Sequence, residues 1–140
     1  MQIRNRDETS FSGDNIYGPG QTRSRTVAVN VSANYVLKVQ NDGSAPGSFR
    51  IKGPGGGSGW TVKYFDTNQD VVSGVEKTAS VSGSGWIIGP LAAGASKKFL
   101  LVVRPRAIAS GTRSVAVTTT STADGTKQDF VTVVTTKKRS

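Results

Sequence analysis

Ala33-Asn34-Tyr35-Val36-Leu37-Lys38-Val39-Gln40-Asn41 is the stretch whose reading decides the fold. Ala33, Tyr35, Leu37 and Val39 fall on one side of a two-residue repeat, and Asn34, Val36, Lys38 and Gln40 fall on the other. Successive side chains of a β-strand point to opposite faces, so this order predicts a strand with its first set in a core. A helix would need apolar residues three and four apart, and no such period is sustained anywhere in the chain.

Working outward, the same period recurs in short runs separated by turn residues. Phe49 and Ile51 alternate with Arg50 and Lys52, and Trp60, Val62 and Tyr64 share a face in the next run. Between them lies Gly53-Pro54-Gly55-Gly56-Gly57-Ser58-Gly59, whose composition predicts a flexible connection. One short edge strand is expected near Val81. Trp86-Ile87-Ile88 then leads into a turn-rich corner at Gly89–Gly94. Lys97 to Arg104 is the most apolar strand, ended by Pro105, which has no N–H to give a central ladder. Arg113 to Ser121 and Lys127 to Thr136 read as a hairpin across Ala123-Asp124-Gly125, because Asp-Gly supplies the positive dihedrals that tight hairpins favour. Towards the start, Thr22 to Val29 predicts a first edge strand. Met1 to Arg6 is a brief amphipathic strand on a long loop, Asp7 to Gln21. The chain thus divides into an arm and loop (1–21), a body (22–136) and a basic tail (137–140). Seven or eight strands of this kind suit an all-β class, an antiparallel β-sandwich of two packed sheets.

The totals agree with one domain. A chain of 140 residues buries roughly two-thirds of its surface on folding, enough core to need neither disulfide nor metal. Lys and Arg number 18 against 9 Asp and Glu, a formal charge of +9, which favours contact with anionic surfaces. No apolar run approaches the roughly 20 residues of a membrane-spanning helix, so no membrane span is expected. The opening residues lack the apolar core of a signal peptide. Secretion would then require a removed signal or a place inside a longer polypeptide.

Several spaced elements together resemble a known group. Val39-Gln40-Asn41-Asp42-Gly43 is followed by Gly59-Trp60-Thr61-Val62, then by Gly85-Trp86 and Gly89-Pro90-Leu91-Ala92-Ala93-Gly94-Ala95-Ser96. Val103-Arg104-Pro105 comes next, and Ser121-Thr122-Ala123-Asp124-Gly125-Thr126 closes the series. In this order they resemble bacterial and archaeal extracellular immunoglobulin-like repeats, of the type related to cell-adhesion domains, over roughly residues 22 to 136. The resemblance implies an Ig-like sandwich at the cell surface, in stalks, adhesins or appendages of secreted enzymes. It brings no catalytic residues with it.

The chemical inventory points the same way. With no His and no Cys, the chain has no imidazole base, no thiol nucleophile and no usual zinc site. A Ser-His-Asp triad is therefore impossible. Asp66-Thr67-Asn68-Gln69-Asp70 starts like a helix-loop-helix calcium loop, but Val71 and Lys77 stand where that loop needs Gly and Glu. The remaining acids fall mostly in turns, where Asp bonds its own backbone. Gly53–Gly59 lacks the Lys-Ser/Thr pair of a phosphate-cradling loop. No enzyme activity and no cofactor is expected.

Three functional expectations remain, the third and least favoured being a decoration or fibre domain of a virus. The first is a non-catalytic structural module of an extracellular surface protein, stalk or filament, associating with itself or with neighbouring repeats. Its arm, Met1, Ile3 and Asn5, would either close its own sheet or add to a neighbour's edge, as donor strands do. The second is a binding module for anionic polysaccharide, cell wall or nucleic acid. In that reading Trp86 stacks on a ligand flanked by Arg50, Lys52 and Lys63, whereas Trp60 belongs to the core with Val62 and Tyr64.

Overall fold

Ala33, Tyr35, Leu37 and Val39 are all buried, and the strand that carries them is the second of a five-stranded sheet. The computed structural model describes residues 2–5, 19–41, 43–57, 59–66, 75–109, 111–123 and 128–138. Along them run β1 (Gln2–Asn5), β2 (Pro19–Val27), β3 (Ala33–Gln40), β4 (Gly47–Lys52), β5 (Trp60–Asp66), β6 (Val75–Glu76), α1 (Thr78–Val81), β7 (Trp86–Leu91), β8 (Ser96–Pro105), β9 (Thr112–Ser121) and β10 (Gln128–Lys137). One sheet has the order β1-β3-β8-β5-β6 and the other β2-β10-β9-β4-β7. Every neighbouring pair is antiparallel except β2 and β10, which run parallel from Pro19 opposite Phe130 to Val27 opposite Lys137. The strands exceed the expected seven or eight because β1 and β6 are short edge segments.

The two sheets meet through their inward-facing positions. Tyr35, Leu37, Tyr64, Val62, Phe99, Leu101 and Val103 from the first sheet join Ile51, Ile88, Val115, Val117, Val131 and Val133 from the second in one cluster. Full burial of a large apolar side chain is worth roughly 1.5–3 kcal/mol, against about 1 kcal/mol net for a hydrogen bond. Packing between the sheets therefore dominates. The hydrogen bonds decide which sheet pair forms. The Tyr35 hydroxyl crosses from β3 to lie 3.0 Å from the Thr135 hydroxyl of β10, so one polar contact ties the sheets inside the core.

Three local expectations are corrected along the strands. Val36, on the side of β3 opposite the expected core set, is itself buried with Leu100 and Val102, and Phe65 packs against them. Central strands of a five-stranded sheet are paired on both edges, and here the outer face is apolar as well. The edge strand expected near Val81 is instead the helical turn α1, closed by Val81 N–H on the Lys77 carbonyl at 3.0 Å. It drops Val81, fully buried, into the open flank between the sheets. The corner expected at Gly89–Gly94 starts later, because β7 runs on through Pro90 to Leu91 and the chain turns at Ala92–Ala95. Pro90 is accommodated because β7 is an edge strand, where one N–H is not needed for the ladder.

The glycine-rich connection after β4 is tied down rather than loose. Gly53 N–H donates to the Val81 carbonyl at 3.1 Å, and Gly57 and Trp60 exchange backbone bonds at 2.9 and 3.0 Å. The Tyr64 hydroxyl donates to the Pro54 carbonyl at 2.9 Å, and Arg113 donates to the Gly55 carbonyl at 2.9 Å. A Cβ at Gly53 would sit 2.4 Å from the Tyr64 oxygen, so glycine is required for that tyrosine to reach its acceptor.

Both buried tyrosines lose ionisation in the fold. Burial raises the Tyr64 phenol well above its ordinary range, against a smaller opposing effect from Arg113. Burial raises Tyr35 as well, opposed by the Thr135 hydrogen bond and by Arg25. An unfolded tyrosine ionises near 10, so the contribution of these neutral phenols is complete below pH 10 and is lost as pH rises above it. We expect the unfolding free energy from urea titrations to fall above pH 10, by up to about 1.4 kcal/mol per pH unit for each tyrosine. Tyr64→Phe, less stable near neutrality, should show a shallower alkaline slope; an unchanged slope would refute this assignment.

Candidate interaction surfaces

The residues that the sequence suggested for a ligand surface are divided by the fold. Trp86 begins β7 and is only 8% exposed. Its ring meets Phe99 edge-on, with centroids 5.7 Å apart and planes at 87°. Trp86 is thus a core residue, because it falls in register with inward-facing Ile51 on β4. It presents no exposed platform for a sugar ring. Arg50 and Lys52 occupy the outer face of β4 and are exposed. Their stems lie against Gly85, where a Cβ would meet Arg50 Cγ at 2.5 Å and Lys52 Cγ at 3.2 Å; Gly85 also has φ +111°. Lys63 is exposed on β5 in the opposite sheet, with its Nζ 3.8 Å from Glu76. Arg50 and Lys52 are therefore together, and Trp86 and Lys63 are elsewhere. Trp60 is buried in the core, as its shared face with Val62 and Tyr64 implies.

Next to Arg50 and Lys52 lies a surface that alternation alone did not reveal. Register aligns Thr22, Thr132 and Ala116 in one row across β2, β10 and β9, Ser24, Val134 and Ser114 in the next, and Thr26, Thr136 and Thr112 in a third. Thr118 and Thr120 continue the face to Lys52 and Arg50. The Thr112 and Thr136 hydroxyls are 3.1 Å apart. Rows like these are about 4.8 Å apart between strands and about 6.7 Å apart along them. The hydroxyls can donate and accept towards a polar polymer, with two cations at the rim.

The acids offer no comparable site among the described residues. Asp66, the start of the apparent calcium loop, forms an ion pair with Lys97, and Thr67–Asp70 lie outside the described residues. Asp7, Glu8, Asp14, Asp42 and Asp124 also lie outside them. No group of three or more metal-binding side chains occurs among the described residues.

The arm is placed by backbone pairing. Ile3 stands opposite Leu37 and Asn5 opposite Tyr35, so β1 extends its own chain's sheet beside β3; Met1 lies outside the described residues. β1 and β2 also run close together, closing one flank of the sandwich. Thus part of the segment expected to be an arm and loop belongs to the sheets, since β2 begins at Pro19.

The strand directions define two poles. Gln2 pairs with Lys38 near the end of β3, and Gln40 pairs with Ser96 at the start of β8. β10 ends at the other pole, where Lys137 is opposite Val27 and Lys138 N–H donates to the Val27 carbonyl at 2.7 Å. There Lys137 Nζ also donates to the Ala107 and Ala109 carbonyls, at 3.0 and 2.8 Å. The first described strand therefore enters at one pole and the last leaves at the other.

Asn41 holds the entry pole together. Its side-chain amide donates to the Ala45 and Leu91 carbonyls, both at 2.8 Å, and its Oδ1 accepts from Gly43 N–H at 3.0 Å. Its backbone donates to Ala95 and accepts from Gly94. The last of the side-chain bonds is the local turn that Asn41-Asp42-Gly43 announces. The bond to Leu91, fifty positions away, had no local signal.

No family model matches the sequence, and no curated protein matches it. Among solved structures the chain is similar to the ASH / PapD-like domain of human CEP192 (PapD-like domain 7), with TM-score 0.44 and 12% identity, covering 99% of this chain and 83% of that one. It is also similar to the N-terminal domain of PorA, with TM-score 0.46 and 14% identity, covering 98% of each chain. Likenesses this distant say nothing of activity or partners.

Replacing Asn41 by Ala removes two donors and one acceptor in a site where Asn41 itself is 5% exposed. The Ala45 and Leu91 carbonyls belong to an exposed and a half-buried residue and can turn to water, so the loss in urea unfolding should be about 1–3 kcal/mol, at about 1 kcal/mol net for each of the three side-chain hydrogen bonds. Asn41→Asp should cost nearly as much, since a carboxylate cannot donate. A loss below 0.5 kcal/mol, on the order of an ordinary surface substitution, would show that the pole is held by its backbone alone.

Proposed function

We propose that this chain is a non-catalytic structural module strung with others of its kind along an extracellular stalk or filament. The carrying observation is the placement of entry and exit at opposite poles, on strands parallel to the long axis of the sandwich. A module whose connections leave at one pole would fold a chain of copies back on itself. One with connections at both poles lets copies follow one another in line. Ten-residue strands such as β8 and β10 give each copy a length of about 33 Å at ~3.3 Å per residue. The formal charge of +9 keeps such copies apart in solution and lets them approach anionic wall or matrix polymers. The hydroxyl face with Arg50 and Lys52 at its rim suits such contact, as a secondary role.

Strand addition is the finer form of this proposal. The register that β1 makes with its own β3 is the register a neighbour's β1 would make in its place. A head-to-tail contact of that kind does not close and so extends into a filament.

Two copies joined end to end should scatter X-rays as an elongated particle, with a maximum dimension close to twice that of one copy. A maximum dimension near that of one copy would mean side-by-side packing and would defeat the in-line proposal. For the strand-addition form, deletion of residues 1–12 should abolish fibres seen by negative-stain microscopy, and fibres that persist would contradict it.

A further inference from the structure

We infer that the exit pole is a membrane-docking tip, which sets three apolar side chains into the surface of a bilayer containing anionic phospholipid. This goes beyond the in-line proposal, and it concerns the pole that a single copy, or the last of a row, keeps without a neighbour. Turns at the ends of strands are ordinarily built from Gly, Asn, Asp, Pro and Ser. The two turns that meet at this pole depart from that rule. Between β2 and β3 the chain reads Ala28-Val29-Asn30-Val31, and after β8 it reads Arg106-Ala107-Ile108-Ala109. Val29 is 37% exposed, Val31 49% and Ile108 76%, three of the five large hydrophobic side chains left exposed among the described residues. Apolar side chains gathered at one exposed place mark a surface that meets a partner or a membrane.

These tips are braced. Val31 N–H donates to the Ala28 carbonyl at 3.1 Å and Ala109 N–H to the Arg106 carbonyl at 2.9 Å, which closes each turn. Asn30 takes φ +61° in the first turn, a left-handed conformation that Asn adopts more readily than most residues. Its N–H bond to the Pro105 carbonyl fastens the two turns side by side. From β10, Lys137 Nζ holds the Ala107 and Ala109 carbonyls on either side of Ile108. Arg106 N–H donates to the Gly59 carbonyl at 2.8 Å, and a Cβ on Gly59 would stand 2.6 Å from the Ala109 nitrogen. Hydrogen bonds and close packing thus hold Ile108 out in water, and little ordering cost remains to be met on docking.

Charge selects the partner. Arg104, Arg106 and Lys138 are exposed beside the tips, and Lys137 adds a fourth cation. The described acids Asp66, Glu76 and Asp129 all lie well back along β5, β6 and β10, towards the entry pole. Apolar tips ringed by cations match the boundary of an anionic bilayer, where phosphates stand above hydrocarbon. Apolar groups at such a boundary sink by roughly 5–10 Å, and each nearby Lys or Arg adds attraction to the charged surface. An anionic polysaccharide or a nucleic acid would answer the cations but has no hydrocarbon interior for Val31 and Ile108. A second copy, itself of formal charge +9, brings like charge to the contact.

The test is sedimentation of the whole chain with vesicles of phosphatidylcholine alone and of phosphatidylcholine mixed with phosphatidylglycerol. We expect binding to the mixed vesicles only, weakening as salt screens the cations. Val31→Asp with Ile108→Asp should weaken it by roughly tenfold or more, since two apolar side chains no longer transfer from water. Ile87→Asp, at an exposed position on β7 away from the pole, should lower affinity far less than Ile108→Asp, which makes the same change of charge. A polarity-sensitive fluorophore on Ile108→Cys should brighten and shift to the blue on the mixed vesicles, and one on Ile87→Cys should not; the native chain has no competing cysteine. Binding with the Ile108 probe still in water would mean adsorption by charge alone and would overturn the inference. So would equal losses from Ile87→Asp and Ile108→Asp, or a failure to bind the mixed vesicles at low salt. Self-association without vesicles that Ile108→Asp abolishes would assign the tip to a second copy instead. Because one copy meets the vesicle, none of these outcomes depends on whether copies align, and the in-line proposal stands or falls separately by scattering.

Discussion

β8 is the strand around which everything else is arranged. Phe99, Leu100, Leu101, Val102 and Val103 are all buried in succession, and the strand is paired with β3 on one edge and β5 on the other. Phe99, Leu101 and Val103 pack against the second sheet, while Leu100 and Val102 face outward into a smaller cluster with Val36. A strand so enclosed cannot slip by one residue, since both faces would then exchange their contents. Its register fixes β3 and β5, and those fix where Tyr35 and Tyr64 project. The two hydroxyls then reach Thr135 and Pro54, joining β3 to the second sheet and β5 to the glycine-rich connection.

From that frame follows the polarity of the molecule. β3 and β8 run in opposite directions between the poles, and the turn that joins β2 to β3 is pinned by Asn30 N–H on the Pro105 carbonyl at 2.7 Å. β2 must therefore descend beside β3 in the facing sheet. β10 occupies the position next to it and runs the same way, and this places the last described strand's end opposite the first strand's start. Asn41 at one pole bonds the Leu91 carbonyl at the end of β7, and Lys137 at the other bonds the Ala109 carbonyl.

Much of the fold was legible because period-two burial is a local property. Ala33 to Val39, Trp60 to Tyr64, the run to Pro105 and the β9–β10 pair could all be read from their own residues. What escaped reading depends on partners distant in sequence. Nothing in Thr22–Val27 tells that its neighbour is β10 rather than β3, or that the two run parallel. Val36 reads as an outward residue until β3 is known to be central. Composition alone made Gly53–Gly59 a loose connection, whereas Tyr64, Val81 and Arg113 supply its anchors from elsewhere in the chain. The candidate surface was less legible still. Trp86 was drawn to a ligand by its glycine neighbours and goes instead to Phe99, and the hydroxyl rows exist only once β2, β10 and β9 are side by side.

The central claim is that the chain enters and leaves this sandwich at opposite poles with its first strand docked. Pulsed electron resonance between spin labels at Gln2→Cys and Lys138→Cys measures this directly, because the native chain contains no cysteine. The account predicts one narrow distance distribution centred at roughly 25 Å, from ~3.3 Å per residue along strands and ~10 Å between sheets. A distribution that is broad, or centred well below that value, would mean that β1 is not held on β3 or that the two ends share a pole.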